Sequence, residues 1–387
     1  MGIPLRVHGI PGAQMIAMDK VFVGRESELA FLRGRLEETL AGMPRTVLLE
    51  GAAGVGKTAL LQAFLARAAH HRVLRTSGAE LEAGLAYGVL DQLVAETGQP
   101  PSGRLAELGT EQAADIEPVC IGGALVDMLG GLRGGGQILV VLDDAHWGDV
   151  PSLQALEFAL RRLRSRPMLA LLSVRDDRTD QLLASLHGLL TGPMAARLRL
   201  GGLGVEELRE LSTSLGTGPL SPRAARRLRE HTGGNPLHAR ALLEEIPAAV
   251  LHHSAGPLPA PRSFALLVLA RLADCSPDAE NLVVAASVLG TNCPLSLASR
   301  LGEVTDPLKA LEQAAAAHLL RDHPTAIERL ITFPHPLVRA AIYHDLGPAR
   351  RAGLHACAAR LVESEPAALR HKTANLLWST LQRARRT

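Results

Sequence analysis

Residues 51 to 58 read Gly-Ala-Ala-Gly-Val-Gly-Lys-Thr and satisfy the pattern G-x-x-x-x-G-K-[ST] in full. This spacing serves to hold a polyphosphate. Gly51, Gly54 and Gly56 let the loop, with Ala52, Ala53 and Val55, curl its backbone N–H groups around phosphate oxygens. The helix expected to open at Lys57 adds the positive end of its dipole. Lys57 supplies a cation for the β- and γ-phosphates, the Thr58 hydroxyl is a ligand for Mg²⁺, and Ala59 continues the helix start. Lysine is scarce here, occurring only at 20, 57, 309 and 372, so its presence inside the motif stands out.

A second segment points the same way independently. Residues 138 to 144 read Ile-Leu-Val-Val-Leu-Asp-Asp, an apolar strand closed by two acids in the form of a Walker B segment. At the carboxyl edge of a parallel sheet, where ligands gather, Asp143 would ligate Mg²⁺ and Asp144 would polarise the attacking water. A third apolar run, Met168 to Val174, delivers Arg175 to the same edge. There a guanidinium senses a γ-phosphate or offsets transition-state charge; the competing role is a surface pair with Asp176 or Asp177.

The elements that must position these groups follow from hydrophobic period. Strands are expected at Thr46–Glu50, Val73–Thr76, Ile138–Leu142, Met168–Val174 and Arg197–Leu200. Helices are expected from Glu26, over Lys57–His70, and over Tyr87–Glu96, Pro151–Arg164 and Gln181–Leu190. Alternating strands and helices imply an α/β fold: a P-loop NTPase parallel sheet with helices on both faces. The Gly- and Ala-rich stretch 98–136 has no clear pattern and reads as a helical insertion. After Gly204 the β-like runs nearly stop. Val205–Leu215, Pro222–His231 and Leu237–Glu245 read as a small helical lid, followed by a Pro-rich linker and a mostly helical, winged-helix-like region with room for a hairpin at 321–334. The expected division is a leader over 1–20, a nucleotide-binding domain over 21–203, a lid over 204–250, a winged-helix-like domain over 258–345 and the start of a helical region over 346–387.

Bulk composition fits this plan. The 387 residues suggest roughly two to three domains. Aromatics make up only 3%, so the cores must be built from Leu, Ala and Val. A net charge of +2 offers no whole-chain argument for nucleic-acid or membrane binding. Four scattered cysteines without a CxxC pair read as a reduced, cytoplasmic protein, and no stretch has the length and hydropathy of a membrane span.

Four further segments carry a resemblance. Val21 to Glu26 (VFVGRE) resembles the VGRE box that opens AAA-type and STAND-type ATPase modules, and Val141 to Trp147 (VLDDAHW) resembles their VLDDLHW segment. Thr232 to Leu237 (TGGNPL) resembles the GGNP element of the small helical domain. Phe333 to Arg339 (FPHPLVR), ahead of Ala341 to Tyr343, resembles the end of a winged helix. In this order they are similar to the ATPase portion of the large LuxR-type transcriptional regulators. The resemblance implies ATP/ADP and Mg²⁺ as ligands, an inducer (small molecule or protein), and nucleotide-dependent self-association. It implies that the backbone of Val23, Gly24 and Arg25 packs around the adenine and that Pro236 closes the base pocket. It also implies that His335 contacts the β-phosphate in a closed ADP form, where the competing role is a turn residue between two prolines.

Such regulators continue to a helical-repeat region and a C-terminal helix-turn-helix. This sequence ends at 387, roughly forty residues past the winged-helix segment. Direct specific DNA binding by this chain is therefore not expected, and the terminal Arg383, Arg385 and Arg386 read as a basic tail. An origin-recognition-like AAA ATPase acting on DNA is the alternative; it calls for a basic recognition helix, which residues 280–320 do not offer. A metabolic P-loop kinase would leave the long helical region without a purpose.

Overall fold

The computed structural model describes residues 21–132, 137–163, 166–253, 257–324 and 329–363. The expected leader over 1–20 and the terminal arginines lie outside them. Five strands, β1 (Arg45–Gly51), β2 (Arg72–Ser77), β3 (Ile138–Asp143), β4 (Met168–Arg175) and β5 (Ala195–Leu200), form one all-parallel sheet in the order β2-β3-β4-β1-β5. β3 is buried along its whole length and β4 almost so, whereas the edge strands β2 and β5 alternate or face outward.

Strand period sorts the core into two faces. Val47, Leu49, Leu139, Val141, Leu169 and Leu171 pack on one side with α1 (Glu26–Leu40) and α2 (Lys57–Arg67). Leu48, Val140, Leu142, Ala170, Leu172 and Val174 pack on the other with α3 (Gly88–Glu96), α4 (Pro118–Gly131) and α5 (Val150–Arg162). Fully buried leucines such as Leu48 and Leu172 each contribute about 1.5–3 kcal/mol.

Two expectations needed tertiary context to resolve. The indistinct stretch 98–136 holds short 3-10 turns and α4. A β-carbon on Gly122 of α4 would meet Phe158 Cδ1 at 2.8 Å and the Ala155 carbonyl at 2.9 Å on α5. The small residues that weaken the helical pattern therefore form a close helix–helix contact. The single helix expected over Gln181–Leu190 is instead α6 (Thr179–Ser185) and α7 (His187–Leu190), because buried Leu186 leaves helical geometry at φ −124°, ψ 26°.

Beyond the sheet come α8 (Val205–Ser214), α9 (Pro222–Thr232), α10 (Pro236–Glu245), α11 (Ala248–His253), α12 (Arg262–Ala273) and α13 (Pro277–Leu289). A winged-helix-like arrangement follows: β6 (Asn292–Pro294), α14 (Leu295–Leu301), α15 (Pro307–Ala316), β7 (Arg321–Pro324) and β8 (Arg329–Thr332). These three strands form an antiparallel sheet in the order β6-β8-β7, and α16 (Pro336–Asp345) and α17 (Pro348–Glu363) complete the region. One hydrophobic core runs from Leu208 and Leu242 of the lid to Val283 and Ile342, so the lid and the winged-helix-like region share an interior. Val23 belongs to that core as well. Among the described residues, no helix is long and apolar enough to cross a membrane.

Candidate nucleotide-binding site

Parallel pairing aligns the chemical groups at one edge. Gly51, the last residue of β1, pairs with Arg175, the last of β4, and Leu142 of β3 pairs with Leu172. The phosphate loop, Asp143 and Arg175 therefore share the carboxyl edge of the sheet.

The loop turns through Gly54 at φ 76° and Gly56 at φ 99°, and α2 starts at Lys57. Lys57 is buried, and its Nζ donates to the carbonyls of Gly51 (2.8 Å) and Ala52 (3.1 Å). Burial holds the ammonium below its ordinary value, opposed mainly by the charges of Asp144 and Asp176. A cation tethered only by carbonyls keeps its charge available for an anion, which fits a polyphosphate ligand.

A cleft of about 500 Å³ opens over this loop. Its walls include Ala53, Gly54, Gly56, Lys57, Thr58 and Ala59 from the loop and α2. Asp144, His146, Trp147 and Arg175 come from the ends of β3 and β4, and Leu211, Pro236, Leu237 and Arg240 from the lid. Gly51, Ala52 and Val55 are not among the lining residues: Gly51 is buried, Val55 is a core residue and Ala52 is exposed.

The two acids differ in setting. Asp143 is buried beneath the cleft, where Ser173 Oγ donates to its Oδ1 at 2.5 Å and Arg75 Nη2 lies 3.7 Å from Oδ2. Asp144 lines the cleft in a left-handed conformation (φ 46°, ψ 47°), its N–H donating to Ser173 Oγ at 2.9 Å. Burial, and then the charge of Asp143, raise the Asp144 carboxyl above its ordinary value, while Lys57 and Arg175 oppose the shift. Arg175 reaches the cleft but also takes up the surface pairing weighed for it: Nε lies 3.2 Å from Asp177 Oδ1, and Nη2 donates to Oδ2 at 3.3 Å. Thr58 and Asp143 are the groups that would hold Mg²⁺ together with phosphate oxygens. Among the described residues no protein-only cluster of three or more His, Cys, Asp or Glu could hold a metal, and a phosphate-shared Mg²⁺ needs none.

The segments carried over by resemblance are placed unequally. From the VGRE box, Val21 lines the cleft and Val23, Gly24 and Arg25 do not. Val23 packs into the helical core, and the Glu207 carboxylate lies 2.5 Å from where a β-carbon on Gly24 would sit. Arg25 is a staple: Nη2 donates to the carbonyls of Gly201 (2.7 Å) and Val55 (3.2 Å), and Nη1 pairs with Glu28 at 2.9 Å. Pro236 lines the cleft at the first turn of α10. His335 does not line it; Nδ1 accepts the Leu337 N–H at 3.2 Å and so caps α16, while the ring also bonds the Thr232 backbone of the lid. His335 thus bridges the winged-helix-like region and the lid, its Nε2 lying 3.2 Å from where a β-carbon on Gly233 of the GGNP loop would sit.

Among the residues around the cleft that sequence reasoning did not single out are Ser173, Asn235, Gln62 and His146. Asn235 was legible as a helix N-cap before Pro236, and Ser173 as the polar residue inside an otherwise apolar strand.

A model of the AAA ATPase domain family matches residues 21–172, so the chain carries an AAA ATPase domain. No curated protein matches the chain. Among solved structures, the Aeropyrum pernix ORC2 protein (ADPNP-ADP complexes) is similar at 17% identity and a TM-score of 0.47, covering 83% of this chain and 94% of that one. The Aeropyrum pernix ORC1 protein in complex with DNA is similar at 18% identity and a TM-score of 0.43, covering 84% and 93%. A Thermotoga maritima RuvB variant is similar at 18% identity and a TM-score of 0.39, covering 80% and 93%. Likeness of this extent identifies neither a ligand nor a partner for this chain.

Proposed function

We propose that the chain is a nucleotide-driven switch: a slow regulatory ATPase forming the sensor and ATPase portion of a LuxR-type transcriptional regulator. One observation carries this reading. The lid contacts the phosphate loop directly, through Asn235 Nδ2 to the Ala53 carbonyl (2.8 Å) and the Leu237 N–H to the Gly54 carbonyl (3.4 Å). The same lid shares its core with the winged-helix-like region. A change at the phosphates therefore bears on the lid, and the lid bears on everything beyond it. Lys57 would bind the β- and γ-phosphates, Thr58 and Asp143 would hold Mg²⁺, and Asp144 would orient the attacking water. Arg175 would respond to the γ-phosphate by exchanging Asp177 for it, and Pro236 with Val21 would border the base. His335 would transmit lid position to the winged helix.

The alternative, an ATPase acting on DNA through the winged helix, finds little support in α15. Its exposed residues are Leu308, Lys309, Glu312, Gln313 and Ala316, which carry no net charge. Sedimentation with ADP and with a non-hydrolysable ATP analogue tests the switch. A larger assembly or more extended shape with the triphosphate is expected; identical behaviour with both nucleotides would overturn it.

A further inference from the structure

His146 is a titratable group in the cleft to which the chemistry described above gives no role. It follows Asp144 in the short turn after β3, is 6% exposed, and lines the cleft. Neither Nδ1 nor Nε2 has a hydrogen-bond partner among the described residues. The ring is held in place, packed against Trp147 at 5.1 Å between centroids, with Arg178 in turn 5.2 Å from the Trp147 ring. A buried imidazole with both nitrogens unpaired costs free energy relative to an apolar residue of the same shape. That cost is recovered when a ligand supplies the missing partner.

The location narrows what the ligand atom is. His146 lines the cleft with Asp144 and Arg175, from the ends of β3 and β4, and lies within electrostatic reach of Arg175 and Lys57. Lys57 of a phosphate loop marks the β- and γ-phosphates, so this part of the cleft is where the terminal phosphate falls.

We propose that His146 hydrogen-bonds the terminal phosphate of a bound nucleoside triphosphate and sets the chain's preference for triphosphate over diphosphate. This deepens the nucleotide-switch reading and rests on it. Burial, reinforced by Arg175 and Lys57 and opposed by Asp177, brings the imidazole down to about 4, so the ring is neutral at physiological pH and offers one N–H donor. A diphosphate leaves that donor unpaired; a triphosphate satisfies it.

The test is equilibrium titration of the full chain with Mg-ADP and with Mg and the β,γ-imido analogue of ATP. His146→Ala should weaken analogue binding roughly tenfold and leave ADP within about twofold, and His146→Gln should recover part of the loss because an amide also donates. His146→Phe keeps the ring and its packing, so it should fold at least as stably as the wild type yet lose the same discrimination. Equal losses for both nucleotides, or unchanged discrimination in the Phe variant, would overturn the assignment. A wild-type chain that binds neither nucleotide, or a Lys57→Ala chain that binds both as well as the wild type, would instead overturn the nucleotide reading itself, and the inference with it.

Discussion

Asn235 of the lid and Ala53 of the phosphate loop, 182 positions apart, are joined by a hydrogen bond of 2.8 Å from Nδ2 to the carbonyl oxygen. The other end of the same amide caps α10, Oδ1 accepting the Leu237 N–H at 3.1 Å. One side chain thus fixes both the start of a lid helix and the seat of that helix on the loop. A β-carbon on Gly54 would lie 3.0 Å from Asn235 Oδ1 and 2.9 Å from Leu237 Cδ2, at a φ of 76°, so the contact is close enough to require glycine.

Asn235→Asp separates the two roles. The carboxylate keeps the cap but loses the donor and faces a carbonyl, whereas Asn235→Ala loses both, at about 1 kcal/mol for the cap and about 0.5–1.5 kcal/mol for the bond. Thermal melting should show a larger drop for Ala than for Asp. Stopped-flow release of a fluorescent ADP analogue should be roughly three- to tenfold faster in both.

Lys57→Ala should abolish Mg-ATP binding, a loss of at least about a hundredfold, because the buried ammonium and its two carbonyl tethers are removed together. Calorimetric titration decides; retention within about threefold would mean that the loop does not hold phosphate.

Asp144→Asn should leave nucleotide affinity nearly intact and slow single-turnover hydrolysis by about 10²–10⁴-fold. Asn tolerates the left-handed backbone at this position, so the fold should survive. The pH sign follows from the raised carboxyl. The folded state favours protonation, so the ionised group costs stability above the raised value, and that cost disappears as pH falls below the unfolded one. Asp144→Asn should therefore melt higher than the wild type at neutral pH, with the difference vanishing in acid. The wild-type hydrolysis rate should fall on acidification within or above the ordinary carboxylate range.

Acid should loosen the lid from the winged helix. Burial lowers His231 and His238 to about 4 from an ordinary 6.5, and His335 and His344 are lowered as well. His231 Nε2 is 2.9 Å from the Pro259 carbonyl, and the His238 ring stands 5.7 Å from that of His335. Groups with depressed folded values contribute full stability above 6.5 and lose it as pH falls toward 4. His238→Phe keeps the edge contact with the Phe264 ring at 4.9 Å and removes one proton site. Its melting temperature should decline less steeply than the wild type's across that window; parallel curves would remove His238 from the acid response.

The chain should show no specific duplex-DNA binding at physiological salt. Beside the exposed face of α15, which carries no net charge, the wing pairs Arg329 with Asp322 at 3.4 Å, so one of its cations is engaged internally. A sequence-dependent, salt-resistant mobility shift with this chain alone would favour the DNA-acting alternative.

The phosphate loop, the acid-tipped strand and the alternation of strands and helices were legible from residues 45 to 200 alone. Each is local: a glycine pattern, an apolar run, a period of two or of 3.6 residues. The helix α4 was not, because Gly122 lowers helix propensity and earns its place only against Phe158 on another helix. The site divided along the same line. Lys57, Thr58, Asp144 and Pro236 line the cleft because short motifs dictate their backbone, whereas strand register set Ser173 against Asp143, and packing turned Val23 into the core and His335 toward Thr232. Which side of a loop a residue faces, and whether a buried nitrogen such as those of His146 meets a partner, depends on atoms supplied by segments far away in the chain. Local pattern carries no information about those atoms; only the closed tertiary structure brings them within hydrogen-bonding distance.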